Sequence, residues 1–158
     1  MRSGDADVAL TFSYDRAEDL GADITVTTVG ADTTRLVLPR EHALADGPTD
    51  LGQLSDTVWI AGCPRCRSHL LDSTAGAGFS PDIRHTTDDY VLVQALVAQG
   101  LGVALLPETA LRAFRHPDVA TPPAPGTRAR QHHVAHRTGA HDIPAVAAVI
   151  AAIGATAR

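Results

Sequence analysis

The chain has no lysine: all 13 of its basic residues are arginine, against 18 acidic ones, for a formal charge of −5. Binding to nucleic acid needs positive charge clustered against phosphates, so this balance excludes a strong DNA-binding footprint on the chain itself. With two cysteines in 158 residues, a disulfide scaffold is excluded, and in a reducing cytosol both side chains are expected to rest as thiols. No apolar run approaches the ~20 residues of a membrane span. The start, "MRSGDADVAL", lacks the apolar core of a signal peptide, so a soluble, cytoplasmic protein with no membrane partner is expected. No glycine-rich phosphate loop, nucleophile elbow or His-Glu-x-x-His pattern occurs. These absences leave little basis for an enzyme, and no catalytic residue, metal or cofactor is assigned.

What is present is an apolar content of 44%, enough for one globular domain or two small lobes sharing a hinge. Short β-branched or apolar runs predict strands at 7–12, 24–30, 33–39, 57–62, 82–86, 102–107 and 131–138. Helical spacing and end signals predict helices at 65–76, 87–100 and 144–155, with a short helical turn at 50–56 capped by Asp50. In the helix at 87–100, Thr87 or Asp88 is the expected cap, Tyr90, Val93, Leu96 and Val97 form the apolar stripe, and Gly100 ends it. The Pro-rich stretch 116–130 reads as an irregular surface crossing. Strands alternating with helices predict an α/β architecture built from βαβ units.

The most conspicuous chemistry is "IAGCPRCRSHLL" at 60–71, which places Cys63 and Cys66 on a strand-to-helix turn. A thiol there is stabilised as thiolate by the helix dipole, so a thiol redox switch or oxidoreductase is one reading. Such a pair is usually found in an early βαβ unit, however, and this one sits mid-chain. A zinc site would need further ligands, for which only His69 and His85 are near in sequence. Two small half-buried thiols at a turn is the plainer reading. The same turn, with amides at a helix start and Arg65 and Arg67 beside them, also suits a small anion. His132 and His136 would share one strand face, but solvated edge-strand histidines explain them more simply than metal binding. The carboxylates of "TTDDY" at 86–90 are better explained as helix caps than as an acid/base pair.

Five segments in order, "GDADVAL", "RLVLPREHALA", "LSDTVWIAG", "AGFSPDIRHTTDDYVLVQALVAQGLGVALLPE" and the closing strand and helix, resemble the LysR-type transcriptional regulators. The most specific piece runs from Asp88 to Pro107: a polar helix start, an apolar helix, Gly-Leu-Gly, and a strand ending in Pro. The resemblance implies a periplasmic-binding-protein type II-like, two-lobed effector domain in which a small, anionic metabolite binds between lobes and so controls DNA binding and transcription by the full-length protein. The first segment matches the family in mid-domain. The expectation is therefore a truncated domain, lacking the winged helix-turn-helix and the first part of lobe one, with DNA as a partner only through that absent domain and a homo-oligomer in the full-length form.

By that resemblance, residues 1–38 and 128–158 are the remnant of lobe one and 39–127 form lobe two. The effector-binding candidates are the residues at strand ends. They are Phe12, Ser13 and Tyr14 after the first strand, Gly62, Cys63, Pro64 and Arg65 after "TVWIAG", Thr87 and Asp88 before the long helix, and Leu106 and Pro107 after "GVAL".

Overall fold

The computed structural model describes residues 6–15, 17 and 20–156. Gly4 and Asp5 of the "GDADVAL" segment, and Arg16, Glu18 and Asp19 of the polar loop after it, lie outside the described residues. Chain contacts divide the protein into two compact units, one of residues 1–32 and 129–158, the other of residues 33–128.

The first unit is a three-stranded antiparallel sheet in the order β1 (Val8–Ser13), β8 (Arg130–Arg137), β2 (Ile24–Asp32). Its middle strand is the last in sequence, so Val134 pairs with Leu10 on one side and Thr27 on the other. Helix α4 (Pro144–Thr156) packs on β1 and β2. Its Pro144 supplies the preset φ and missing N–H that suit a first helical turn. Val134, Ala135 and Val146 are buried.

The second unit holds five strands. β3 (Thr34–Pro39) lies between β6 (Ala104–Pro107) and β7 (Val119–Ala120), antiparallel to both. β4 (Val58–Ala61) pairs in parallel with β5 (Asp82–Thr86). A parallel bridge at Trp59 and Val103, with Ile60 N donating to Val103 O and Val103 N to Val58 O at 2.9 Å each, joins β4 to β6. The strands thus run β5, β4, β6, β3, β7. Residues 33–38, which the resemblance assigns to lobe one, pair wholly within the second unit.

Alternation along the strands sorts side chains to two faces. Leu36, Leu38 and Trp59 join Leu70 of α1 (Pro64–Gly76) in one cluster, with Leu51, Leu54 and Val103. Val37, Ile60, Ala104 and Leu106 join Val93 and Val97 of α2 (Tyr90–Ala98) in the other. Tyr90 and Leu96 complete the expected stripe as partly buried neighbours. Gly100 ends α2 at φ +71, with Leu101 N bonded to Leu96 O and Gly100 N to Val97 O, a Schellman closure that only a residue at ease with positive φ forms readily.

Two elements depart from expectation. α3 (Glu108–Ala113) follows β6 directly, where a Pro-Glu start gave no strong periodic signal. Part of the Pro-rich crossing is structural: Pro122 O accepts from Leu36 N, Pro123 O from Thr49 N, and Pro122 and Ala124 are buried. Proline removes a donor but leaves the carbonyl, so such a stretch can still line a sheet edge.

Candidate functional site

β4 sends its chain through residues 62–63 to α1 on one face of the sheet, and β5 sends its chain through residues 87–89 to α2 on the other. Adjacent parallel strands whose connections leave to opposite faces form the switch point at which open α/β sheets carry ligands. Thr87 N donates to Ala61 O at 3.0 Å, holding the second turn against the end of β4. Gly62 lies between them: a Cβ there would stand 3.2 Å from Cys66 Cβ and 4.0 Å from Thr87 O. The sequence candidates Gly62, Cys63, Pro64, Arg65, Thr87 and Asp88 are therefore brought together at one sheet edge.

The chemistry of that edge differs from a helix start with open amides. Cys63 is the N-cap of α1, and its Sγ accepts from Cys66 N at 3.3 Å. Pro64 at the first helical position has no N–H. The anion seat expected from backbone amides is thus largely taken, and the positive group at the turn is the half-buried Arg65.

At α2 the cap is neither Thr87 nor Asp88 but Asp89, whose Oδ1 accepts from Val91 N at 2.8 Å and Leu92 N at 3.2 Å. Thr87 Oγ1 accepts from Asp89 N at 3.3 Å, which orients the cap. Asp88 is left exposed. Two adjacent aspartates offer the same capping chemistry, and only the end of β5 at Thr86 sets which one is used.

The remaining candidates sit elsewhere. Leu106 is in the core against Val37 and Val93 rather than at the surface, because alternate residues of β6 face α2. Pro107, also buried, pairs with Thr34 and precedes α3, whose Glu108 meets Arg35 at 3.2 Å. Phe12, Ser13 and Tyr14 belong to the first unit. The Phe12 ring carries the Arg130 guanidinium 4.8 Å from its centroid and touches Tyr14 edge-on. Ser13 Oγ donates to Asp15 O at 3.1 Å and lies 2.8 Å from His133 Nε2, while His133 Nδ1 lies 3.0 Å from Thr28 Oγ1. These contacts tie β1, β8 and β2 together through one buried imidazole.

Sequence reasoning missed the buried pair beside it. Arg130 Nη2 donates to Asp32 Oδ2 at 2.8 Å, with His132 Nε2 3.9 Å from the same oxygen. Burial, and next the charge of Arg130, lower the His132 pKa more than Asp32 raises it. A groove of about 760 Å³ lies at the other end of α1, lined by residues such as Asp50, Gly76, Pro125 and Arg128. It is remote from the turns that hold the candidates. Among the described residues no cluster of three or more His, Cys, Asp or Glu side chains could hold a metal, and no helix is long and apolar enough to cross a membrane.

Residues 1–158 match the family model of the LysR substrate binding domain. The chain belongs to this family. Its α/β architecture is the periplasmic-binding-protein type II-like fold, and its place in the family is that of an effector-binding, regulatory domain of LysR regulators. The C-terminal domain of a probable LysR family regulator from Rhodococcus sp. RHA1 is similar at 25% identity and TM-score 0.67, over 86% of this chain and 68% of that one. The regulatory domain of Synechocystis PCC6803 CcmR in complex with 2-PG is similar at TM-score 0.82 and 13% identity, over 100% of this chain and 76% of that one. The BenM effector binding domain with its effector benzoate is similar at TM-score 0.68 and 19% identity, over 85% and 62% of the two chains. Of full-length BenM the chain spans 46%. No curated protein sequence matches the chain. These similarities lend no support to an oxidoreductase built on Cys63 and Cys66.

Proposed function

We propose that this LysR-family domain binds a small carboxylate at the turns that end β4 and β5, and that within a longer regulator this occupancy biases DNA binding. The observation that carries the reading is the switch point itself. Two turns leave adjacent parallel strands for opposite faces, are tied together by Thr87 N to Ala61 O, and bring a glycine, a hydroxyl and an arginine to one edge.

The roles follow from the chemistry. Gly62 lets a ligand approach the backbone. Arg65 supplies the charge that the occupied amides of α1 do not. The Thr87 hydroxyl still has a proton to give, because its oxygen acts as acceptor from Asp89 N. The exposed Asp88 repels a second charge nearby and so favours ligands with one carboxylate. Benzoate, the ligand of the BenM domain, is a suitable first probe.

Calorimetric titration of the full chain with benzoate and a panel of other small monocarboxylates tests this. Saturable binding to at least one is expected, with Arg65→Met weakening it about tenfold or more, equivalent to ~1.4 kcal/mol. Binding by none of the panel, or equal binding by the variant, would sink the assignment.

A further inference from the structure

Cys63 and Cys66 remain unexplained by ligand sensing. They are the chain's only two cysteines, they are not bridged, and both are partly exposed. Their sulfurs stand 2.8 Å apart, inside ordinary non-bonded contact and within about 1 Å of the ~2.05 Å of a disulfide bond. Three local features hold them there. Cys63 is fixed as N-cap by the bond from Cys66 N, Pro64 presets the first helical residue between them, and Gly62 leaves the space above Cys66 Cβ that a larger residue would contest at 3.2 Å. None of this is needed for a helix start, where Ser, Thr or Asp caps as well or better.

We propose that Cys63 and Cys66 are a redox modification site that closes to an intrachain disulfide by exchange with small-molecule disulfides. One cysteine, as thiolate, attacks a sulfur of the oxidant RSSR and expels one thiolate to form a mixed disulfide. The second cysteine then attacks the protein sulfur of that bond and expels the other. The protein loses two protons and two electrons, and the oxidant takes them up to leave as two RSH. Closure ties the end of the β4 turn to the first turn of α1, so residues 63 to 66 lose the freedom to rearrange. The proposal does not depend on the carboxylate reading: a chain that binds no carboxylate can still close this bond.

Equilibration of the full chain in mixtures of reduced and oxidised glutathione, followed by acid quench, alkylation and intact mass, tests it. The expected product is a monomer that is two hydrogens lighter and takes up no alkylating agent. Because the folded chain holds the sulfurs together, its equilibrium constant for closure should exceed that of the same chain in concentrated urea by at least about tenfold. Cys66→Ser and Cys63→Ser should each stop at the glutathione mixed disulfide. A constant no larger than that of the unfolded chain, or a wild type that yields only mixed disulfides or covalent dimers, overturns the proposal. The wild-type measurement decides alone if either variant misfolds.

Discussion

Asp32 and Arg130 are 98 residues apart in sequence yet meet at 2.8 Å with the carboxylate fully buried. An ion pair of this kind contributes little net stability against an apolar replacement, but breaking it leaves a charge without its partner in a medium that solvates it poorly. Asp32→Ala should therefore lower the unfolding free energy by about 3–5 kcal/mol in a denaturant titration, whereas breaking an exposed pair such as Arg84 and Asp82 should leave the midpoint nearly unchanged, because water screens it. His132 beside them makes a pH prediction with a definite sign. Its pKa is lowered in the folded chain by burial and by Arg130, so the unfolded chain takes up the proton first as pH falls. More protons bound to the unfolded state means stability rises with pH. The loss should begin as pH drops through the ordinary histidine value of about 6.5, and His132→Gln should flatten that slope in melts recorded from pH 8 to 5. A local sequence window could not show this cluster, because its members come from opposite ends of the chain.

At the scale of elements, α2 is the best-specified piece. Its stripe of Val93 and Val97, its glycine end and its polar start were all legible, because they obey a 3.6-residue period and known end chemistry. Its cap was not legible: Thr87 or Asp88 was expected, and the cap is Asp89. Asp89→Ala should cost about 1 kcal/mol of stability, while Asp88→Ala, at an exposed position, should change the denaturation midpoint little. The following turn is tighter than the sequence suggested. A Cβ on Gly102 would stand 2.9 Å from Val58 O, a backbone atom of β4 that cannot yield cheaply. Gly102→Ala should destabilise by more than ~1 kcal/mol, measured by thermal melt. The switch point was legible in outline, since a strand-to-helix turn can be read locally. Which faces α1 and α2 cover had to come from the packing of Leu70 and Val93. The same holds for Leu106, whose place at a strand end suggested a ligand contact until alternation along β6 set it against α2.

For the molecule as a whole, the second unit is continuous in sequence, from 33 to 128, and holds the chain's one tryptophan, Trp59, fully buried with Nε1 bonded to Leu54 O. Its emission should report that unit alone. A 33–128 fragment is expected to keep the native emission and a cooperative melt, and an emission maximum already at the unfolded position would refute that. The first unit is built otherwise: β1 and β2 both depend on β8, which spans Arg130–Arg137. A ribosome delivers β1 and β2 roughly a hundred residues before β8, the strand that joins them. During that interval the 33–128 segment can fold behind them. The interval in which β1 and β2 are open to mispairing with a neighbouring nascent chain thus includes the whole stretch between the second strand and β8.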